Sequence, residues 1–219
     1  MFRHAAGFFL ASTLALGAQA PPPGITRTPL LENASVMMAR LRMAPGARET
    51  VHTHPFSAVI VQLDAGDVEM RVGTQRQTAR RERGHVEFVA AEMPHAAANA
   101  GTTPFDLVTI AIKPDRKPGG TQAAAEAPRG ITRKPVLDNA QARATHVTFA
   151  PGSREPVHMH PYDLVVVPLT PGLMEVLIGP ATTTKEIAVG EVIFLPRDVP
   201  HSLSSRHPDA IEVVSVGIK

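Results

Sequence analysis

Six of the ten histidines fall into two sets that share one spacing. Each set is a His-x-His pair followed 41 positions later by a third histidine. Residues two apart on a β-strand point to the same face, with α-carbons about 6.5 Å apart. Two such imidazoles and a third from a neighbouring strand can bind one divalent metal ion and leave coordination positions open for water, substrate or dioxygen. The predicted ligands are His52, His54, His95, His158, His160 and His201.

Other catalytic signatures do not stand out in the sequence. There is no phosphate-binding loop, no Ser-His-Asp spacing and no evident pair of catalytic carboxylates. The residues also do not select the metal, because neutral imidazoles accept Fe, Mn, Ni, Cu or Zn. A divalent metal ion of open identity is therefore the expected cofactor.

The elements that must position these histidines come in two copies. The sequence Gly-Ile-Thr-Arg at 24–27 recurs at 130–133, and this offset of 106 residues holds without a gap to the end of the chain. The two copies are identical at 32 of 90 positions, whereas chance would give roughly one in fifteen. We therefore predict two domains of one kind, 24–113 and 130–219, joined by a linker at 114–129 that is rich in Pro, Gly and Ala.

Three further histidines do not recur between the copies. His85, His146 and His207 align with a glutamate, an arginine and a glycine of the other copy. We predict that these three are ordinary surface or loop residues.

Each copy has the pattern of β structure. Short runs rich in Val, Ile, Leu and Thr are separated by turn residues, and 21 prolines disfavour helices. The sequence therefore predicts an all-β protein. The predicted strands are Ala58–Leu63, Val68–Val72, Val86–Val89 and Leu107–Ile112, and in the second copy Leu164–Leu169, Glu175–Ile178, Val192–Leu195 and Glu212–Val216.

Residues 1–20 have the pattern of a secretory signal peptide. A short positive start precedes the apolar stretch 5–17, and Ala18-Gln19-Ala20 provides a small-residue cleavage site. We predict a periplasmic or secreted protein that has no membrane contact after cleavage, since no later run has the length and hydropathy of a bilayer span.

Composition excludes several kinds of site and partner. The absence of cysteine rules out disulfides, cysteine-ligated zinc and a thiol nucleophile. A net charge of +2, from 22 basic and 20 acidic residues, gives no support to nucleic-acid binding. The expected partner is a small-molecule ligand or substrate. The sequence also leaves a homo-oligomer open.

Both copies resemble cupin domains. The first cupin motif is Gly, five residues, His-x-His, three or four residues, Glu, six residues and Gly. The second motif contains a glycine, a Pro-x-Gly turn, a histidine and an asparagine. The matching residues are Gly46, His52, His54, Gly66, Gly84, His95 and Asn99 in the first copy, and Gly152, His158, His160, Gly172, Gly190, Pro196 and His201 in the second. The resemblance implies a bicupin, two tandem double-stranded β-helix (jelly-roll) barrels with a metal pocket in each.

The cupin glutamate is missing from both copies. Its place falls at Ala58 or Val59 and at Leu164 or Val165. A neutral three-histidine site leaves the ion with a higher net charge and makes it a stronger Lewis acid. Three-histidine iron cupins include dioxygenases of thiols and diketones, so the missing glutamate does not exclude catalysis, and a metal-dependent oxygenase is compatible with the resemblance. Asp163 could substitute as a ligand, but a turn residue at the start of a strand is the favoured interpretation.

Strand phase predicts the lining of the pockets. The residues that share a face with the missing glutamate are apolar, and no arginine is in phase with the histidines on these strands. We therefore expect a partly apolar ligand and find no support for a strongly anionic one. Arg48-Glu49 and Arg154-Glu155 are predicted to form ion pairs at the rim, with both glutamates pointing away from the metal. The predicted lining is Val59, Val61, Leu63, Met70 and Phe88, and in the second copy Val165, Val167, Leu169, Met174 and Phe194.

Three interpretations of function remain at this point. The first is an exported metal-dependent enzyme, an oxygenase of a small organic molecule. The second is a non-catalytic protein that captures a small ligand or a metal. The third is a barrel in which the histidines are retained without a metal. A fold alone does not decide between them, because one fold hosts many functions.

Overall fold

A computed structural model describes residues 22–114 and 128–219. The described residues form sixteen β-strands and no helix, which confirms the predicted all-β class. Within these ranges nothing forms an apolar helix of membrane-spanning length. The predicted signal peptide at 1–20 and most of the predicted linker, residues 115–127, lie outside the described residues.

Each repeat contributes eight strands. The first repeat contains β1 (Ile25–Glu32), β2 (Val36–Met43), β3 (Ala58–Gln62), β4 (Gly66–Val72), β5 (Gln75–Arg81), β6 (Val86–Val89), β7 (His95–Asn99) and β8 (Phe105–Ile112). The second contains β9 (Ile131–Asp138), β10 (Ala142–Phe149), β11 (Asp163–Pro168), β12 (Gly172–Ile178), β13 (Ala181–Ile187), β14 (Ile193–Leu195), β15 (His201–Ser205) and β16 (Ile211–Ile218). All eight predicted strands coincide with observed ones to within a few residues at their ends.

The two repeats have the same sheet topology. In the first, a five-stranded sheet of order β1-β2-β8-β3-β6 accompanies a three-stranded sheet of order β5-β4-β7. In the second, the orders are β9-β10-β16-β11-β14 and β13-β12-β15. The pairing is antiparallel throughout. This arrangement agrees with the predicted pair of tandem jelly-roll barrels.

The largest buried cluster joins the two repeats. It contains apolar side chains from β2, β3 and β8 of the first repeat and from β10, β11 and β16 of the second. One face of each five-stranded sheet is therefore buried against the other barrel, and the opposite face of each sheet covers the interior of its own barrel. Covering both faces compensates for the small core of a 90-residue domain.

This packing corrects part of the predicted pocket lining. Strand β11 is buried on both faces, and its odd-numbered residues, which were predicted to face the pocket, face the partner barrel instead. Met174 lies in the interior of the second barrel and Met70 packs against the interior cluster of the first, in agreement with the prediction. The predicted lining residues that instead contact the interface cluster are Val59, Val61, Leu63, Phe88, Val165, Val167, Leu169 and Phe194.

A glycine turn of the first barrel docks against the second. Gly84 has a φ of 81°, and a Cβ at this position would lie 2.3 Å from Cε1 of His146 and 2.8 Å from Cδ1 of Leu169. Nε2–H of His146 donates to the Gly84 carbonyl at 2.6 Å. His146 is thus a partly buried interface residue on β10, and the prediction of an ordinary surface or loop residue is wrong for it.

The equivalent turn of the second barrel makes the reciprocal contact. A Cβ on Gly190 would lie 2.4 Å from Cδ1 of Leu63. Nη1 of Arg40 donates to the Val189 carbonyl at 3.1 Å. Because Gly190, Leu63 and Arg40 are the repeat equivalents of Gly84, Leu169 and His146, the two barrels meet through like surfaces, as the subunits of a twofold dimer do.

Candidate metal centres

The first histidine triad assembles where the chain between β2 and β3 runs beside β7. The imidazole centroids of His52 and His54 are 4.6 Å apart, those of His52 and His95 are 4.6 Å apart, and those of His54 and His95 are 5.2 Å apart. The His-x-His pair does not lie on a regular strand as expected, because His52 makes only an isolated antiparallel bridge to His95. The bridge nevertheless brings His52 and His95 together, and His54 lies close enough to complete the group of three.

The second triad repeats this geometry. The centroid distances are 4.8 Å between His158 and His160, 4.6 Å between His158 and His201, and 5.0 Å between His160 and His201. In each triad one nitrogen from every ring lies within 4.8 Å of the other two. The structure therefore brings together all six residues singled out from the sequence, in two groups of three.

Backbone carbonyls orient two of the rings in each triad. Each accepting carbonyl belongs to the residue two positions before the histidine, and these Nδ1 to oxygen distances are 2.8 to 2.9 Å. Nδ1–H donation fixes the tautomer and leaves the lone pair on Nε2, which is the arrangement of metal-ligating histidines. The donors and acceptors are His52 with Thr50, His95 with Met93, His158 with Pro156, and His201 with Val199.

The residues present fit a bound cation. Nε2 of His201 is buried and has no hydrogen-bond partner among the residues that the structure describes, and the residue is 1% exposed. An unpaired buried nitrogen costs about 1–3 kcal/mol, and a metal ion at the triad centre would satisfy it.

Burial favours the neutral form of three of the six histidines. Desolvation, and next the charges of neighbouring histidines, lower the pKa of His54 to about 4 and that of His160 to about 3. Desolvation also lowers the pKa of His201. Metal ligation needs the neutral imidazole, so these side chains stay competent to bind a metal below the usual titration range of histidine.

A residue in the left-handed backbone conformation donates a hydrogen bond to each His-x-His segment. Glu92 has a φ of 57° and its equivalent Asp198 has a φ of 54°, at the place of the glycine in the Pro-x-Gly motif. The amide of Glu92 donates to the His54 carbonyl, and that of Asp198 to the His160 carbonyl, both at 2.8 Å. The turn geometry of the motif is thus retained although its glycine is not.

Asp163 is a structural residue and does not join the triad. It is the first residue of β11, and its carboxylate accepts hydrogen bonds from the Ser35 hydroxyl at 2.5 Å and from the Arg197 amide at 2.9 Å. This agrees with the favoured interpretation. At the place of the missing glutamate, Leu164 faces the interior of the second barrel.

A cavity of about 280 Å³ opens beside the second triad. His158 and His160 line it together with apolar side chains from β10, β11 and β16. Arg133 and Arg143 also line it, so the pocket carries positive charge that strand phase gave no reason to expect. These arginines lie on β9 and β10, outside the strands whose phase was considered.

The predicted rim ion pairs are also wrong. Glu155 is buried beside the cavity and accepts from Nη2 of Arg133 at 2.6 Å and from the Leu203 amide at 3.3 Å. Arg48 pairs with Glu69, not with its sequence neighbour. The recurrence of Gly-Ile-Thr-Arg in both repeats was the sequence signal that could have identified Arg133.

Sequence comparison finds relatives that correspond to parts of the chain. No protein-family model matches it. Over 83 residues, 38% of this chain, it is 30% identical to the beta-alanine degradation protein BauB of Pseudomonas aeruginosa and covers 87% of that protein. Over 117 residues, 48% of this chain, it is 31% identical to the tetracenomycin polyketide synthase protein TcmJ of Streptomyces glaucescens and covers 76% of that protein.

Solved structures resemble nearly the whole chain. AerE from Microcystis aeruginosa superposes with a TM-score of 0.75 at 15% identity, over 90% of this chain and 93% of that one. A cupin 2 conserved barrel domain protein from Leptotrichia buccalis gives 0.61 at 15% identity, over 92% of both chains. Salicylate 1,2-dioxygenase from Pseudaminobacter salicylatoxidans gives 0.70 at 11% identity, over 90% of this chain and 77% of that one. At these identities the likeness concerns the fold.

Proposed function

This chain belongs to the cupin superfamily as a two-domain bicupin, and on that premise we propose that it binds one divalent metal ion at each histidine triad and oxygenates a small organic molecule. The observation that carries the proposal is the convergence of three imidazoles in each barrel. The buried and unpaired Nε2 of His201 supports it further.

The residues around the second triad would hold the metal ligands in place and limit the entry of water in such a reaction. When bound, a divalent ion held by three neutral imidazoles supplies Lewis-acid and redox chemistry at its open positions. The carbonyls that accept from Nδ1 hold the rings in place, and the apolar walls around Leu164 limit the entry of water. The carboxylate of Glu155 accepts a hydrogen bond from Arg133.

A non-catalytic binding protein is the second candidate. It is favoured by one observation, the lack of an available general base among the residues that line the described cavity. Glu155 is the single carboxylate among those lining residues, and it is ion-paired with Arg133. In this alternative the barrel captures a small molecule and releases it unchanged.

Oxygen consumption separates the two candidates. The full chain is stripped with a chelator, reloaded separately with Fe(II), Mn, Ni, Cu or Zn, and incubated with a panel of small aromatic and aliphatic compounds in an oxygen electrode. The proposal expects oxygen uptake that is lost in the double variant His52→Ala/His158→Ala. Unchanged uptake in that variant would refute the triads as the reacting sites, and no uptake with any metal would refute an oxygenase. Thermal stabilisation by a compound without its conversion would then support the binding protein.

We further propose that the chain is exported through residues 1–20. The three-part pattern of that segment supports this. The test is to express the tagged chain in a Gram-negative host, fractionate the cells and determine the N-terminal peptide by mass spectrometry. A cytoplasmic product that retains Met1 would contradict export.

A further inference from the structure

Arg143 points into the interior of the second barrel. Residues of β10 alternate between the two faces of the sheet, so that Ala142 and Ala144 lie in the interface between the barrels. Arg143 and Thr145 lie on the opposite face and line the cavity. A guanidinium is therefore held inside a barrel whose lining is otherwise largely apolar.

Within the described ranges, the charge of Arg143 is not neutralised by an ion pair. Arg133 has its own carboxylate in Glu155, at 2.6 Å, whereas no described carboxylate lies within 4.0 Å of the Arg143 side-chain nitrogens. Asp138 lies near Arg143. The pKa of Asp138 is lowered mainly by a hydrogen bond from Lys219, and the charge of Arg143 adds a smaller effect. Asp138 is on the surface and bonded to Lys219, so the cavity keeps a net positive charge before any metal binds.

Tyr162 lies beside this guanidinium and beside the metal centre. Burial raises the pKa of the Tyr162 phenol, and Arg143 lowers that pKa by a smaller effect. The phenol ring stacks on the imidazole of His160, with centroids 5.2 Å apart and planes at 13°. Gly217 makes room for both side chains, because a Cβ there would lie 2.6 Å from Cε2 of Tyr162 and 3.1 Å from Cγ of Arg143.

The first barrel lacks all three features. At the repeat equivalents of Arg143, Tyr162 and Gly217 it has a methionine, a phenylalanine and an alanine. The histidine triads are the same in both barrels, so the difference concerns what binds beside the metal and not the metal site. The residues of the first barrel are Met37, Phe56 and Ala111.

We infer that the second barrel alone selects a small organic acid, whose carboxylate pairs with Arg143 while its apolar body fills the cavity beside the triad. Tyr162 is the positioning residue for the guanidinium. Arginine matches a carboxylate with two parallel N–H donors. A cavity of about 280 Å³ is at the lower limit of ligand pockets, which span roughly 300–1,000 Å³, so the acid is small. The inference names the substrate class of the proposed enzyme and rests on that function only for the conversion of the acid.

Calorimetric titration tests the inference without turnover. The probes are benzoate and its neutral counterpart benzamide, titrated into the full chain in two states, zinc-loaded and chelator-treated. We expect one benzoate per chain in both states and binding of benzamide that is weaker by about tenfold or more, since a charge-assisted pair is lost. The chelated state excludes direct coordination of benzoate to the metal as the source of the preference.

The first barrel supplies the substitutions for the variants. Arg143→Met should weaken benzoate binding roughly 10- to 100-fold and leave benzamide binding unchanged. Tyr162→Phe should weaken benzoate binding by a smaller factor without lowering the melting temperature, which a merely structural role would lower. Arg27→Met, at an exposed arginine of the first barrel, is the control and should bind benzoate as the wild type does.

Several results would overturn the inference. They are no benzoate binding, equal affinity for benzoate and benzamide, two benzoates per chain, or undiminished binding in Arg143→Met. The comparison of benzoate with benzamide uses the wild type alone, so it tests the inference even if a variant does not fold. Selective benzoate binding without oxygen uptake would retain the carboxylate site and refute the oxygenase. Oxygen uptake that is unchanged in Arg143→Met would retain the oxygenase and refute the carboxylate site.

Discussion

His52 and His95 are joined by their main chains as well as by a shared centre. The amide of His52 donates to the carbonyl of His95 at 2.9 Å, and the amide of His95 donates to the carbonyl of His52 at 3.0 Å. His158 and His201 are joined in the same way, at 3.0 and 2.8 Å. Because these bonds need no side chain, the triads can be altered while the loops that carry them stay in place.

Metal stoichiometry is the first prediction. The metal-loaded wild type should carry two ions per chain, and His52→Ala and His158→Ala should each carry one, since each substitution removes a ligand and retains the backbone bridge. Elemental analysis of the purified chain, with circular dichroism to verify the fold, measures this. Thr53→Ala, between two ligands of the first triad, is the control and should retain both ions. Two ions in either histidine variant would show that the triads are not the sites.

The glycine turn at the interface gives the second prediction. Gly84→Ala should destabilise the chain by the left-handed φ, about 1–2 kcal/mol, and by a further 1–3 kcal/mol or so because the new methyl overlaps His146 and Leu169. Gly46→Ala is a matched control, since Gly46 has a φ of 74° and no atom within 4 Å of the added Cβ. Urea denaturation measures both variants. Equal losses would show that the docking contact contributes nothing.

The third prediction concerns the left-handed turn behind the first triad. Glu92 is exposed and has a φ of 57°. Glu92→Gly should raise the free energy of unfolding by roughly 0.5–1 kcal/mol, because relief of the strained backbone exceeds the extra chain entropy of glycine. Glu92→Ala keeps the strain and should bring no gain. Thermal and urea unfolding measure this, and a gain of equal size in both variants would disprove the backbone explanation.

The stability of the chelated protein should depend on pH through the triads. The pKa of His160 is about 3 in the folded chain and about 6.5 when unfolded. Between these values the unfolded chain holds the additional proton, so stability falls as the pH is lowered from about 6.5 and is unaffected by this group above it. His54 acts in the same direction.

The pH effect is measured as a difference between variants. Urea midpoints of the chelated wild type and His160→Asn between pH 7 and 4 should converge as the pH falls, because the variant has lost the titrating group. Met159→Asn, at the exposed residue next to it, should keep the slope of the wild type. Parallel pH curves for wild type and His160→Asn would contradict the lowered pKa.

Spacing was sufficient to predict the triads, and strand phase was not sufficient to predict the cavity. The interval between the His-x-His pair and the third histidine recurs in both copies, so chance coincidence is small. On β11, by contrast, Leu164 to Val167 are all apolar, and a strand buried on both faces has no alternation from which its inner face can be identified. Val165 was therefore placed in the wrong layer.

Arg143 was missed for a related reason. Its neighbours Ala142, Ala144 and Thr145 give β10 no clear polar side, and its repeat equivalent is a methionine, so neither periodicity nor recurrence marked it. The interface between the barrels could not be predicted from the sequence either, because the apolar residues that pack between barrels are of the same types as those of a barrel core. Only the three-dimensional layering separates the two sets.

The like-to-like packing of the barrels has an evolutionary consequence. In a homodimer with this interface, every mutation appears in both subunits, so a change that suits one pocket is imposed on the other. In a single chain the two halves mutate independently, while their attachment maintains a local concentration that does not fall on dilution. One half can thus keep an ancestral pocket and serve as scaffold while the other half specialises, a division of labour that a symmetric dimer could not reach by point mutation.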